Sequence, residues 1–281
     1  MALTAFQIEI LRLLAERRKR DGVSYIAGGA ALNAVLQRPR RSRDLDVFHD
    51  STEALAKTWQ NDRRALLDAG YHIDVIREAP SFIEADIRSS RDSVLMQWVR
   101  DSAYRFFPLC EDSVMGLTLH PLDLAANKIL AASGRLEPRD WVDAVVCHRD
   151  VQPLGYLLWA ACGKDPGVNP DMLLDQCARL HYAQEELDVL DFETAPPRAR
   201  DLSKEWKLAL DQGKQIIETL PAGHLGECVL SADGALCRAS PAELLDRLAR
   251  RDLGFHRGSI GGIWPRIAGS RVGGDEHEKR S

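Results

Sequence analysis

Hydrophobic and polar positions follow two different periods along the first half of the chain. Residues 4–20 place apolar side chains every three or four positions, which predicts an amphipathic helix that ends at Asp21-Gly22. Residues 44–48 alternate polar and apolar side chains, which predicts a strand with one exposed face. The same patterns predict further strands at 23–27, 71–76, 82–87 and 94–99, and further helices at 30–37, 55–69, 121–132 and 138–147.

From about residue 152 the helical pattern predominates, with predicted helices at 154–162, 171–190, 202–220 and 241–251. Asp233-Gly234 separates two short apolar segments, 228–230 and 235–238, which is typical of a small hairpin. We therefore predict an α+β fold with three parts: a mixed sheet in 1–150, a mostly helical region with a hairpin in 151–267, and a disordered polar tail in 268–281. A helical extension packed on one shared core fits the pattern after residue 150 equally well.

Composition places the chain among ordinary globular proteins. Of its 281 residues, 45% are hydrophobic and 28% are charged, which excludes disordered, collagen-like and disulfide-scaffold classes. The net charge of −5 argues against a general nucleic-acid coat. No apolar run approaches the ~20 residues that span a bilayer, and the six cysteines are scattered without a C-x-x-C pair. We expect a cytoplasmic protein with reduced, mostly buried thiols and no membrane segment.

Two features of the first half suit a phosphate and a metal ion. Gly28-Gly29 follows an apolar strand and precedes a helix, so the backbone can approach a phosphate at the N-terminus of that helix. Asp44 and Asp46 are alternate residues of one strand and share a face, where two ionised carboxylates suit Mg²⁺. Taken singly, a Gly-Gly pair is more often a turn, and an Asp-x-Asp pair is more often a solvated strand edge.

Charged residues lie on both sides of these motifs. Four arginines occur in the segment 38–43 together with Ser42, and arginine suits phosphate recognition through its forked donors. Lys128 sits on an otherwise apolar helical surface, where an ammonium group needs an anionic partner. Asp140 and Asp143 are three residues apart and share one face of the next helix. A solvated loop, a snorkelling lysine and an N-terminal charge pair are the alternative interpretations.

The order of these motifs resembles the DNA polymerase β-like nucleotidyltransferase superfamily. Four segments carry the resemblance: Ile26-Ala-Gly-Gly-Ala-Ala-Leu32, Arg40-x-Ser42-x-Asp44-Leu-Asp46-Val47, Ala126-Asn-Lys-Ile-Leu130 and Arg139-Asp140-x-x-Asp143. Within the superfamily the sequence is similar to the AbiEii-type nucleotidyltransferases, a group that contains toxins of type IV toxin–antitoxin systems and the related MenT toxins. The resemblance covers residues 20–150 and implies a mixed-sheet nucleotidyltransferase core.

The resemblance also implies a role for each matching residue. The nucleotide triphosphate would be bound by Gly28, Gly29, Arg40, Ser42 and Lys128. The metal, Mg²⁺ or Mn²⁺, would be held by Asp44 and Asp46. The catalytic group would consist of Asp44, Asp46, Lys128 and, as a supporting acidic residue, Asp140.

The implied reaction moves a nucleoside monophosphate from an NTP to a hydroxyl group and releases pyrophosphate. A tRNA end, a protein and a small molecule are the acceptors to be considered. A toxin-like enzyme with a cognate antitoxin is the form that this function takes in part of the group.

One departure from the superfamily pattern favours a second interpretation. The superfamily usually has a third carboxylate on a later strand, and the strand at 94–99 has Gln97 at the expected position. A neutral amide cannot act as a general base. Asp101, followed by Glu84 or Asp86, is then the predicted substitute. The alternative is a catalytically degenerate nucleotide-binding or interaction module with the same fold.

Overall fold

The structure, a computed structural model, describes residues 2–265, so the predicted tail at 268–281 lies outside the described residues. Its α-helices are α1 (Ala5–Asp21), α2 (Gly28–Val35), α3 (Thr52–Asp68), α4 (Pro121–Arg135), α5 (Pro138–Asp150), α6 (Leu154–Lys164), α7 (Pro170–Cys177), α8 (Gln184–Asp188), α9 (Ala199–Thr219) and α10 (Pro241–Arg250). Its strands are β1 (Tyr25–Ala27), β2 (Asp44–His49), β3 (His72–Ala79), β4 (Phe82–Arg88), β5 (Ser93–Arg100), β6 (Tyr104–Arg105), β7 (Cys110–Asp112), β8 (Gly116–Thr118), β9 (Cys228–Ser231), β10 (Leu253–His256) and β11 (Ser259–Ile260).

Seven of these strands form one mixed sheet in the order β3-β4-β5-β2-β1-β8-β7. β2 runs parallel to β5, and β1 runs parallel to β8, whereas the other neighbours are antiparallel. All seven strands come from the first half of the chain, and helices predominate after residue 150. The predicted α+β fold with a mixed sheet is therefore confirmed.

One face of the sheet is buried, and the opposite face carries the two predicted aspartates. In β2, Leu45 is fully buried on the face that packs against α3, whereas Asp44 and Asp46 lie half-buried on the other face. Trp98 of β5 shares the buried face, where its ring centroid lies 4.7 Å from that of Trp59 in α3. The polar–apolar alternation that predicted β2 thus reflects a real difference between the two faces.

Helices α6 to α9 pack on the same core as the sheet, whereas Leu244 of α10 belongs to a second, smaller hydrophobic cluster. Buried side chains from both halves form one hydrophobic cluster that includes Leu32, Trp141 and Trp206. α6 lies between α4 and α9. Its contact with α9 requires glycine, because a Cβ on Gly155 would lie 2.7 Å from the carbonyl oxygen of Gly213. A domain boundary near residue 150 stays a prediction.

The predicted helix at 171–190 is divided into α7 and α8. The end of α7 is fixed by Trp206, whose indole Nε1 donates to the carbonyl oxygen of Cys177 at 3.0 Å. Beyond it, the Tyr182 hydroxyl donates to the carbonyl oxygen of Leu136 in the first half of the chain. These contacts come from residues distant in sequence, so the local helical pattern does not reveal the break.

The predicted hairpin also takes a different form. The chain turns at Asp233-Gly234, and a single bridge joins Leu230 to Leu236. The regular antiparallel ladder of β9 is instead formed with β10, which lies after α10 in the sequence. A later segment therefore supplies most of the pairing that the local pattern assigned to 235–238.

Two class-level expectations concern the thiols and the membrane. All six cysteines are free; five are buried, and Cys110 is half-buried. Burial raises the pKa of the Cys177 thiol to about 12, as expected for an unreactive core thiol. None of the helices within residues 2–265 is long and apolar enough to cross a membrane.

Candidate functional site

A cleft of about 620 Å³ lies between the open face of the sheet and α4. Seven of the eight predicted site residues line it: Gly28, Gly29, Arg40, Ser42, Asp44, Asp46 and Lys128. The eighth, Asp140, lies behind Lys128 and accepts a 2.9 Å hydrogen bond from its ammonium group. The fold therefore brings together residues that are separated by more than 100 positions in the sequence.

Asp44 and Asp46 form the floor of the cleft. Within residues 2–265, neither carboxylate has a hydrogen-bond or ion-pair partner. Burial raises the pKa of both groups, and the neighbouring charge of Asp44 contributes to raising the pKa of Asp46 to about 6. Two adjacent carboxylates without protein partners suit a divalent cation with oxygen ligands, so the residues present fit Mg²⁺ or Mn²⁺.

Gly28 makes the closest approach to this carboxylate pair. Ala27 of β1 lies opposite Asp46 of β2, and α2 begins at the next residue. A Cβ on Gly28 would lie 2.0 Å from Asp46 Oδ2, and the residue has a φ of 69°. Only glycine suits both conditions. Since no side chain caps α2, the free backbone N–H groups at its start lie beside the aspartates.

The loop before β2 completes this wall of the cleft. Gln7 of α1 donates from Nε2 to the carbonyl oxygen of Ser42 at 2.8 Å. On the other side, the backbone N–H of Arg41 donates to the carbonyl oxygen of Asp191, so the second half of the chain also fixes this loop. Of the four arginines in 38–43, only Arg40 lines the cleft.

Lys128 and Arg40 belong to a buried ion-pair network. The Lys128 ammonium group lies 2.9 Å from Asp140 Oδ1 and 3.0 Å from Asp143 Oδ2. Arg40 donates to both oxygens of Asp143, each at 2.7 Å. These two predicted nucleotide-binding cations are thus paired with aspartates, and Asp143, which was not among the predicted site residues, joins them.

The network determines the ionisation of its two aspartates. Burial alone would raise the pKa of Asp140, but hydrogen bonds from Arg135 and the charge of Lys128 lower it to about 2. The pKa of Asp143 is also lowered, because Lys128 and Arg40 outweigh the effect of burial. Both groups are therefore ionised at neutral pH, and each has its positive partner within the protein.

Arg139 is the cleft cation that remains without an anionic partner among the described residues. It is half-buried and lines the cleft, and its buried Nε–H donates to no acceptor within residues 2–265. Its charge acts on Asp44, where it opposes the increase in pKa that burial causes. The sequence signal was present, since Arg139 immediately precedes Asp140 in the fourth segment of the resemblance.

Gln97 occupies the position next to Asp46, as predicted. The two residues lie opposite each other in the parallel pair β2–β5, and Glu84 lies opposite Gln97 in β4. Gln97 Nε2 donates to Glu84 Oε1 at 2.8 Å. Asp101 lines the cleft beyond the end of β5, and Asp86 contacts Arg88 at 2.6 Å. The register therefore brings Glu84, rather than Asp101, into line with the aspartate pair.

No group of three or more His, Cys, Asp or Glu residues suited to a metal ion occurs in the described part of the chain. The carboxylate pair with Gln97 beside it is consistent with this result. A cation at the pair would have two charged protein ligands and would need further oxygen atoms from elsewhere.

The far end of the cleft is aromatic and was not predicted. Phe48 follows Asp46 on the same face of β2, and its ring stacks on Tyr25 with centroids 6.1 Å apart. The Arg105 guanidinium lies over the Tyr25 ring, 5.0 Å from its centroid, and pairs with Asp50. These contacts join β1, β2 and β6, so no local sequence pattern indicates them.

No family model matches the sequence, and no curated protein matches it. Solved structures do match. A chain from H. pylori described as a "putative nucleotidyltransferase" aligns with a TM-score of 0.51 and 13% identity, over 78% of this chain and 99% of its own. JHP933 from Helicobacter pylori aligns with a TM-score of 0.50 and 13% identity, over 77% of this chain and 95% of its own. MenT4, a nucleotidyltransferase toxin from Mycobacterium tuberculosis H37Rv, aligns with a TM-score of 0.49 and 14% identity, over 78% of this chain and 86% of its own.

This chain has a nucleotidyltransferase fold. The two Helicobacter structures establish the likeness in fold, one of them under the description of a nucleotidyltransferase, and the predicted core is confirmed at the level of the fold. Each match covers more than three quarters of this chain, so the shared architecture extends beyond residue 150 into the helical region. At 13% identity the likeness concerns the fold alone.

Proposed function

We propose that this chain is a Mg²⁺-dependent nucleotidyltransferase that moves a nucleoside monophosphate from an NTP to a hydroxyl acceptor. One observation supports this function above the others: Asp44 and Asp46 are half-buried without partners among residues 2–265, and Asp46 lies directly against Gly28. A carboxylate pair beside the start of a helix suits a cation and the phosphate groups that bind it.

Each element of the cleft has a part in this proposal. Asp44 and Asp46 would hold Mg²⁺ or Mn²⁺, which when bound supplies positive charge to the triphosphate and the attacking oxygen. The N–H groups of Gly28 and Gly29 and the Ser42 hydroxyl donate to phosphate oxygens. The Arg139 guanidinium supplies a further forked donor.

Lys128 and Arg40 contribute in a different way. Both cations are paired with Asp140 and Asp143, so they maintain the shape and charge of the cleft wall beside the triphosphate. Transfer forms a bond between the acceptor oxygen and the α-phosphorus and breaks the bond from the α-phosphorus to the oxygen that bridges it to the β-phosphate. Pyrophosphate leaves with that oxygen, and the hydroxyl proton passes to solvent. Such a reaction depends on positioning and charge stabilisation, which this arrangement provides.

A tRNA end, a protein and a small molecule stay the candidate acceptors. A toxin role, a cognate antitoxin and a cytoplasmic location stay predictions from the sequence.

Gln97 favours a second candidate function, a nucleotide-binding module without transferase activity. The amide lies where the superfamily usually has an acid, and it cannot remove a proton from the acceptor. This protein would bind NTP and a divalent cation but transfer nothing.

Transfer of label from each α-³²P-labelled NTP, with Mg²⁺ and either total tRNA or protein extract, distinguishes the two functions. We expect label in one acceptor class with the wild type, and none with Asp44→Asn or Asp46→Asn. Asp246→Asn, an exposed change on α10, is the matched control and should behave as wild type. NTP binding without transfer would support the binding module, and full transfer by both cleft variants would contradict the proposed site.

A further inference from the structure

We infer that Gln97 supplies the third oxygen ligand of the cation site through its amide carbonyl, and that Glu84 is the positioning residue that orients this amide. The inference rests on the proposed function, because it concerns the same carboxylate pair. It gives Gln97 a defined role in the cleft and treats the missing third acid as a substitution of one oxygen ligand for another.

The register of three adjacent strands brings these groups into one row. β5 lies between β2 and β4, with Asp46 opposite Gln97 and Gln97 opposite Glu84. Neighbouring strands of a sheet lie about 4.7–4.9 Å apart, so residues that face each other on one face of the sheet are within reach of one another. The side chain of Gln97 can therefore reach Glu84 on one side and the carboxylate pair on the other.

The chemistry of Glu84 determines which way the amide points. An ionised carboxylate only accepts hydrogen bonds, so the group of Gln97 that faces Glu84 must be the NH₂ group. The distance from Gln97 Nε2 to Glu84 Oε1 is 2.8 Å. The carbonyl oxygen Oε1 is consequently left on the β2 side, and it has no hydrogen-bond donor among residues 2–265.

Glu84 is free of competing ion pairs in the described part of the chain. Arg77 lies opposite it in β3, but the Arg77 guanidinium lies over the Phe82 ring, 5.2 Å from its centroid. Glu84 does not line the cleft, whereas Gln97 does. The carboxylate thus acts on the cleft through the amide that it orients.

A neutral oxygen suits this site for reasons of charge. Asp44 and Asp46 already provide two negative charges to balance a divalent cation. Carbonyl oxygens, like carboxylate oxygens, are suitable ligands for Mg²⁺ and Mn²⁺. An amide therefore adds a ligand without a third negative charge in a partly buried row of acids.

Binding of Mn²⁺ to the nucleotide-free protein, measured by titration calorimetry, tests this inference without an activity assay. We expect Gln97→Leu and Glu84→Leu to weaken Mn²⁺ binding by about tenfold or more, the usual range for ligand-orienting partners of a metal. Glu84→Gln should have a smaller effect, because its amide can still accept from Gln97 but no longer enforces one orientation. Asp86→Asn is the matched control: it removes the same charge from β4, and its partner is Arg88 rather than Gln97.

The double variant Gln97→Glu/Glu84→Gln separates orientation from a general structural effect. It retains the hydrogen bond with donor and acceptor exchanged and directs a carboxylate oxygen towards the aspartates. We expect it to bind Mn²⁺ at least as tightly as the wild type, while each leucine variant binds it weakly. Melting temperatures of all variants, measured by circular dichroism, identify any loss of folding.

Two contrary results are distinguishable. If Asp46→Asn abolishes Mn²⁺ binding while Gln97→Leu binds as tightly as the wild type, the inference about Gln97 is wrong and the proposed function stands. If Asp46→Asn binds Mn²⁺ like the wild type, or if the wild type binds none, the cation site itself is wrong. The proposed function then fails together with the inference.

Discussion

Two pairs of aspartates, one lining the cleft and one behind its wall, are in opposite electrostatic states. Asp140 and Asp143 on α5 are paired with Lys128 and other cations, and their pKa values are lowered. Asp44 and Asp46 on β2 have no partners within residues 2–265, and their pKa values are raised. The protein thus completes one pair internally and leaves the other incomplete.

This difference separates a structural role from a ligand-binding role. A buried charge is costly unless it is paired, so the α5 pair requires nothing further and stabilises the wall of the cleft. The β2 pair retains the free-energy cost of burying unpaired carboxylates in the isolated protein. This is the property expected of a site that is completed by a ligand. The same residue type therefore has different roles because of its surroundings.

The largest effect is expected where the internal pairing is removed. Asp143→Ala removes a carboxylate that pairs with both Arg40 and Lys128, and leaves these buried cations with less compensating negative charge. The free energy of unfolding should fall by about 3–5 kcal/mol. Urea denaturation measures this change. Asp246→Ala on α10 is exposed and should change stability by no more than about 0.5 kcal/mol. A cost for Asp143→Ala of the same size as this control would contradict the structural role of the network.

A smaller effect is expected at Gly28, the glycine beside the open pair, Asp44 and Asp46. Gly28→Ala places a Cβ 2.0 Å from Asp46 Oδ2, and it requires an alanine to adopt the φ of 69° that Gly28 has. The backbone conformation alone should cost about 1–3 kcal/mol, and displacement of Asp46 should also abolish Mn²⁺ binding. Gly134→Ala, in α4 with open space around it, is the matched control and should stabilise the protein by about 0.4–1 kcal/mol. Equal stability of the two variants would contradict the close packing at Gly28.

The open pair itself should respond in the opposite direction from the α5 pair. Asp46→Asn removes a repulsive charge, and should raise the stability of the metal-free protein at pH 7 by about 1–2 kcal/mol. Thermal denaturation in the presence of a chelator measures this increase. A loss of stability would show that the Asp46 carboxylate already has a favourable partner in the metal-free protein, which would contradict its role as an unpaired cation ligand.

The pH dependence of stability follows from the same two directions. The folded-state pKa of Asp46 is raised to about 6, so the stability that its protonation provides is present below about pH 4 and is lost as pH rises towards 6. The folded-state pKa of Asp140 is lowered to about 2, so its contribution is present above about pH 4 and is lost as pH falls towards 2. Asp46→Asn should remove the first change and leave the second, as followed by urea denaturation across this range.

The alternation of polar and apolar residues predicts those strands that are long enough to show it. β2, β4 and β5 alternate over six to eight residues, and their two faces differ in burial, so the period is visible. β7 and β8 have three residues each, too few to establish a period. The missed strands form one edge of the sheet, which only tertiary pairing defines.

The candidate site was predicted where one short segment contains both residues of a motif. Asp44 and Asp46 share a strand, and their common face follows from the period of two. The partner of Arg40 is Asp143, 103 positions later in the chain, and only the packed fold brings them together. Lys164, which pairs with Asp123 at 2.8 Å and lines the cleft from α6, was missed for the same reason.

The most direct test of the open pair is the ionisation of Asp46, measured by ¹³C NMR of the aspartate carboxyl carbons with and without Mg²⁺. The resonance that disappears in Asp46→Asn should titrate with a pKa near 6 in the metal-free protein. Saturating Mg²⁺ should lower that pKa below the ordinary aspartate value of about 4, because the bound cation favours the ionised form. A pKa near 4 without metal, or a value near 6 that Mg²⁺ leaves unchanged, would contradict a cation site at Asp44 and Asp46.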